Sequence, residues 1–226
     1  MRSSAAGKCG VITTAIVLAA SCVPPALARV QLGVEIGANV SSLRYEHLDA
    51  FPQITSYWNP EWRTSTTGGV SLEFPMRRQF SIVTGLRYVQ QGNRVKFDFP
   101  GSPPLKGEFR IAQHYLAMPL LLAFRPIPPQ RWFLAAGPEG ALLLNGKIFT
   151  DYTSPGLPSS SMSITHQLQP GNLSIDAEAD IPFPAGKHFG IVILRYTHGL
   201  IDVQKKDDWA VAWKTRGVEG LVGMRW

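Results

Sequence analysis

The chain predicts an all-β fold, an eight-stranded antiparallel up-and-down transmembrane β-barrel. Three observations lead there. Apolar residues recur at every second position in successive segments, the connections between segments alternate short and long, and the last alternating stripe (Val218, Gly220, Val222, Met224, Trp226) runs to the final side chain. Alternation with period two is the pattern of a strand with two unlike faces. A soluble domain usually ends in a few solvated residues, so a stripe that reaches the last residue implies a strand that must stay paired.

The 226 residues suit one domain with a full core. With 45% apolar and 17% charged residues the chain is not generally disordered, and 21 Gly and 18 Pro favour turns over helix. Residues 1–28 read as a signal peptide: Arg2 and Lys8 form a basic start, VITTAIVLAA is apolar, and Ala26-Leu27-Ala28 is a small-x-small cleavage pattern. Residues 29–226 are then the barrel domain. The uncharged run from Val11 to Val23 is too short to span a bilayer as an anchor. A second reading makes Cys22 of LAASC a lipoprotein site, but Ala19 stands where such boxes prefer Leu and the Ala-Leu-Ala match is better. Cys9 and Cys22 both fall in the removed segment, so the mature chain is expected to have no disulfide, no cysteine metal site and no thiol nucleophile. Without Arg2 and Lys8, 20 of the 22 basic residues remain against 16 acidic ones, too small an excess to argue for nucleic acid.

Along the mature chain no segment approaches the ~18 apolar residues of a spanning helix. In VQLGVEIGANVSS, Leu32, Val34, Ile36, Ala38 and Val40 share one face, and Gln31, Gly33, Glu35, Gly37, Asn39 and Ser41 the other. Val70, Leu72 and Phe74 oppose Gly69, Ser71 and Glu73; after the short turn PMRRQ, Phe80, Ile82, Leu86 and Tyr88 oppose Ser81, Gly85, Arg87 and Gln91. The fourth segment, FRIAQHYLAMPLLLAFR, is apolar nearly throughout, so its facing is ambiguous, and Pro119 is unusual inside a strand. After PIPPQR, Trp132, Leu134, Ala136, Leu142 and Leu144 oppose Gly137, Glu139 and Ala141. In NLSIDAEADI, Leu173, Ile175, Ala177, Ala179 and Ile181 oppose Ser174, Asp176, Glu178 and Asp180. FGIVILRYTHGL and TRGVEGLVGMRW complete eight strands.

Short connections follow the second, fourth and sixth strands, and longer ones follow the others. With an even strand count, short turns at one end and long loops at the other describe a barrel of the bacterial outer membrane, with periplasmic turns and extracellular loops. A soluble barrel would invert the faces. Here the polar face is rich in Gly, Ser and single charges, which suits a narrow lumen, whereas a soluble exterior carries many long Lys and Glu side chains. Tyr45, Trp58, Trp62, Phe74, Phe80, Tyr88, Trp132, Tyr196, Trp209, Trp213 and Trp226 gather near strand ends, as interfacial girdles require.

An Arg or Lys facing lipid at the midplane costs about 2–4 kcal/mol, so charges should point inward. Glu35, Glu73, Arg87, Glu139, Asp176, Glu178, Asp180, Arg195, Glu219 and Arg225 all carry the inward parity. Eight strands leave an interior only just filled by side chains, and isolated ions there are too costly. These groups are expected to neutralise one another in a salt-bridged lumen without a pore.

The order of motifs GVEIGANVSSL, HYLAMPLLLAF, GPEGALLL, RYTHGLID and VGMRW resembles the PorT-like outer-membrane β-barrel family, over Val30 to Trp226. The family commonly has Glu where this chain has Ala117. The resemblance implies an eight-stranded barrel of a Gram-negative outer membrane, porin-like or linked to protein secretion. A terminal aromatic with alternating apolar positions, here Val218, Val222, Met224 and Trp226, resembles the signal read by the barrel assembly machinery.

Chemistry-bearing groups are sparse. His47, His114, His166, His188 and His198 show no spacing for a metal pair, and no serine lies in a recognisable nucleophile context. His198 is the best placed, on an upper rim near Asp202. Asp176, Glu178 and Asp180 stand about 7 Å apart along one strand face, too far to share a small ion unaided. SPGLPSSSMS, inside the long loop from Ile148 to Gln167, reads as mobile, and loops of this kind carry binding. The sequence therefore predicts a non-enzymatic barrel without cofactor or metal, acting as anchor, scaffold or binding module through its extracellular loops. Its expected partners are outer-membrane lipid, the assembly machinery and a secretion-system or surface protein. The alternative is a porin-like transport or secretion-associated component.

Overall fold

A computed structural model describes residues 30–46, 58–77, 79–101, 105–126, 132–154, 156–185, 188–204 and 212–226. The expected signal peptide with Cys9 and Cys22, and also His47 and Trp209, lie outside them. Ten strands occur in chain order: β1 (Gln31–Glu46), β2 (Trp58–Glu61), β3 (Arg63–Arg77), β4 (Phe80–Phe99), β5 (Leu105–Phe124), β6 (Phe133–Tyr152), β7 (Ser160–Ser163), β8 (Gly171–Ala185), β9 (His188–Gly199) and β10 (Ala212–Arg225).

Eight of them close a ring. The hydrogen-bonded order β1-β3-β4-β5-β6-β8-β9-β10 returns to β1, and every pairing is antiparallel. The last strand meets the first in register from Gly33 opposite Arg225 to Glu46 opposite Ala212. At the very end Leu32 N donates to Trp226 O at 3.2 Å and Trp226 N donates to Leu32 O at 3.1 Å. Closure leaves no unpaired edge within the bilayer, where an unmet backbone group has no water to turn to.

The alternation sets which face meets lipid. Ile36, Val70, Leu86, Leu134, Ile175, Leu194, Val218 and Val222 are exposed on the outside, while Glu35, Ser71, Arg87, Glu139, Asp176, Arg195 and Glu219 are buried inside. The ambiguous segment in β5 resolves with Met118, Leu120, Leu122 and Phe124 outward and Ala117, Leu121 and Ala123 inward. Pro119 has no N–H to give, and the ladder yields around it: pairing with β4 skips from Thr84↔Leu120 to Arg87↔Ala117. The Thr84 hydroxyl donates to the Pro119 carbonyl at 2.8 Å.

Two features differ from the sequence expectation. β4, β5 and β6 each run 20 residues, about twice what a span needs, and continue beyond the membrane on the long-loop side. There β2 adds to β4 and β7 adds to β6, and Phe97 packs on Phe109 with ring centroids 4.6 Å apart. The long connection expected from Ile148 to Gln167 is partly built into the fold: Ile148 to Tyr152 belong to β6, and Ser160–Ser163, the end of the SPGLPSSSMS stretch, form β7 paired with it, while Ile164 and, just beyond, Leu168 are buried at the barrel mouth.

Candidate functional site: the closed lumen

The lumen begins with the strands' period of two, which aims one charged side chain after another from neighbouring strands at the barrel axis. All ten charged residues of inward parity are buried, none more than 8% exposed. Arg87 on β4 reaches across to Glu219 on β10 at 2.6 Å, to Asp176 on β8 at 3.5 Å and, in the shortest contact, to Glu139 on β6. Arg195 on β9 stands directly between Glu178 and Glu219 in the ladder. Its Nε donates to Glu178 Oε2 at 2.7 Å, and its amino groups lie 3.3 Å from Glu219 and 3.5 Å from Glu35. Arg225 on β10 bonds Asp180 at 2.5 Å and Glu73 at 3.3 Å.

The row of carboxylates on β8 thus finds a separate guanidinium for each member: Arg87 for Asp176, Arg195 for Glu178 and Arg225 for Asp180. Glu219 joins the first two arginines into one network. Planar guanidinium forks suit this role because each offers five donors to several acceptors at once. Ala117 is the register partner of Arg87, yet the guanidinium turns to acids on β6, β8 and β10.

The balance of charge differs from the expected neutrality. Seven carboxylates face three arginines from the expected set, and a fourth, Arg125 just past β5, joins by bonding Glu73. Three carboxylate oxygens, Asp176 Oδ1, Glu178 Oε1 and Asp180 Oδ1, are buried with no hydrogen-bond partner among the described residues.

Both ends of this layer are closed by apolar groups. On the side of the short turns, Phe133 lies beside both Arg125 and Arg225, whose guanidinium carbons are 5.2 and 4.8 Å from the ring centroid. Cation–π contacts of this kind hold the charge over the ring face. Val83, Leu121, Ala123 and Ala135 pack with Phe133 into a floor. On the side of the long loops, Leu43, Ile111, Ile164, Leu168, Val203 and Trp213 form a roof, with Val203 wholly buried. Backbone bonds hold the roof: Gln169 N donates to Val203 O at 2.8 Å and Val203 N donates to Trp213 O at 2.9 Å.

Trp213 therefore belongs to the lumen roof, not to the interfacial girdle its position near a strand end suggested. Trp62 and Trp226 are exposed on the outside, as are Tyr88 and Tyr196. Phe133, Arg125 and the roof residues were missed by sequence reasoning. The inward parity of Leu121, Ala123 and Arg125 was the available signal, obscured by the apolar run around it.

The histidines are dispersed. His114 meets the Tyr88 hydroxyl through Nδ1, His198 lies 3.4 Å from the Tyr196 hydroxyl, and His166 sits in a short 3-10 turn. Among the described residues no group of three or more His, Cys, Asp or Glu is arranged to hold a metal ion. Outside the membrane, Asp151 at the tip of β6 bonds Arg110; hydrogen bonds from Ser159 and then Arg110 hold its carboxyl below the usual aspartate range.

Comparison with solved structures finds several similar chains. The chain is similar to Ail, the attachment invasion locus protein of Yersinia pestis, solved with the heparin analogue sucrose octasulfate: 14% identity over 88% of this chain and 99% of that one, TM-score 0.39. It is also similar to Neisserial surface protein A, at 10% identity over 86% and 96% of the two chains, TM-score 0.39. OprG of Pseudomonas aeruginosa is similar at 12% identity over 87% and 95%, TM-score 0.39. No functionally curated protein matches the chain. The family model described as outer membrane protein beta-barrel domain matches residues 20–205, well over half of the sequence. The chain belongs to that family, an eight-stranded barrel of the Gram-negative outer membrane.

Proposed function

We propose that this barrel is a non-enzymatic outer-membrane protein that acts as an anchor, scaffold or binding module through its extracellular loops and passes no solute through its lumen. The observation that carries the reading is the closure of the interior at three levels: an apolar roof, a layer of arginines and carboxylates, and the Phe133 floor. A water-filled path would need a gap through all three. The extracellular extension of β4, β5 and β6, widened by β2 and β7, supports the binding role because it builds a stiff platform beyond the membrane. The five motifs support the finer placement among PorT-like barrels.

Insertion uses the same terminus that closes the ring. Val218, Val222, Met224 and Trp226 present one exposed apolar stripe ending on an aromatic ring, the pattern we assign to recognition by the barrel assembly machinery.

Solute uptake tests the central reading. Liposomes carrying the refolded protein should swell no faster in small sugars than empty liposomes. Swelling at a rate that scales with protein content would favour the porin-like alternative.

A further inference from the structure

We infer that Glu178 and Asp180, consecutive inward residues of β8, share one proton at neutral pH as a hydrogen-bonded acid pair, and that alkali loosens the barrel by removing it. Each carboxyl gives one oxygen to an arginine: Glu178 Oε2 meets Arg195 and Asp180 Oδ2 meets Arg225. The other two oxygens, Glu178 Oε1 and Asp180 Oδ1, are buried with no donor among the described residues. The two carboxyls also lie within hydrogen-bonding reach of each other. Two ionised carboxylates are acceptors only and cannot bond without a hydrogen between them, and a buried acceptor left unmet is costly. One proton satisfies both oxygens and removes the repulsion between two like charges. Among the described residues no third acid joins the pair to hold a metal ion, and a proton is the occupant that needs no added room.

The surroundings place the hydrogen on Asp180 Oδ1, from which it is donated to Glu178 Oε1. The cross-strand neighbours of Asp180 are Phe133 on β6 and Ile193 on β9, both buried and apolar. A charge in such surroundings is costly unless it is well paired. Its one base, Arg225, is divided with Glu73. Glu178 instead stands opposite Arg195, which offers it both Nε and Nη2. The other charges around the pair are Glu35 on β1, Glu73 on β3, Arg87 on β4, Arg125 past β5, Glu139 on β6, Asp176 on β8 itself and Glu219 on β10. At this depth β5 adds only Ala117, Pro119, Leu121 and Ala123, none of them titratable. Seven acids therefore face four bases among the described residues, and no base is left over for a second charge on the pair.

Infrared spectroscopy of the full mature chain refolded in lipid vesicles reads the proton directly, because the C=O stretch of a carboxylic acid stands apart from the carboxylate bands. At neutral pH the unmodified barrel should show the acid band. Asp180→Asn and Glu178→Gln should each weaken it, since an amide N–H then takes the place of the shared hydrogen. Stability gives a second readout. The unfolded chain has released this proton at neutral pH and the folded barrel has kept it, so raising the pH favours unfolding. The folding equilibrium constant falls by about tenfold per pH unit until the folded state releases the proton too. The urea midpoint should therefore drop between about pH 7 and about pH 9, and Asp180→Asn should remove this proton's share of the drop. A heat-dependent gel shift verifies that each variant is folded. No acid band in the unmodified protein, a band of equal strength in both variants, or an alkaline drop unchanged by Asp180→Asn would each overturn the assignment.

Discussion

Replacing Arg87 by Met tests how much the lumen network contributes to stability. The Arg87 side chain is 1% exposed and holds three carboxylates from three strands, Glu139, Asp176 and Glu219. Glu219 keeps Arg195 at 3.3 Å after the change. Glu139 and Asp176 lose the only guanidinium bonded to them among the described residues. Removing one partner of a single buried pair costs about 3–5 kcal/mol because the other charge is left uncompensated. With two carboxylates stranded, that range is a lower bound for Arg87→Met. Unfolding by urea in lipid vesicles, followed by tryptophan fluorescence, reads the effect: at a slope of about 2 kcal/mol per M, the midpoint falls by at least about 1.5 M. Adding Glu139→Gln and Asp176→Asn to Arg87→Met should recover more than half of the loss, since no stranded charge then remains. A midpoint shift below about 0.5 M in the single variant, or no recovery in the triple one, would refute the reasoning.

Asp176→Asn alone should be tolerated or mildly stabilising in the same assay, because it removes one of the excess carboxylates and one unpartnered oxygen; a loss above about 2 kcal/mol would contradict the charge count. Gly37→Ala should impair folding by about 1–3 kcal/mol, since an added Cβ would lie 2.1 Å from Gly220 O at the closing seam, whereas Gly220→Ala meets nothing within 4 Å and should be neutral or better. Deleting Trp226 removes the paired terminal bonds to Leu32 and the last ring of the stripe, so the amount of heat-modifiable barrel in the outer membrane should drop severalfold, measured on gels of membrane fractions.

Much of this fold was readable in the chain. From Leu32 to Ser41 in β1 and from Leu173 to Ile181 in β8 the alternation is unbroken because one face meets lipid and the other is polar, so polarity marks orientation there. The reading weakened where the lumen itself is apolar. Leu121 and Ala123 face the floor around Phe133, so β5 carries apolar residues on both sides and its parity vanishes. At the mouth the rule inverts: Leu43, Ile111 and Trp213 point inward into the roof, and an aromatic near a strand end there is core, not girdle. β2 and β7 are four residues each, too short to show any period, and their pairing with β4 and β6 depends on partners distant in sequence. The ionic layer was legible as a set of residues through parity alone. Its connectivity was not, because each guanidinium crosses the lumen to strands that sequence order does not make adjacent, and Arg125 enters from a turn.

Single-channel recording of the refolded barrel in planar bilayers tests the closed lumen most directly. An interior sealed by the Ile164–Leu168 roof, the arginine layer and the Phe133 floor gives no steady open level in molar salt. A stable, reproducible open conductance in the unmodified protein would contradict it.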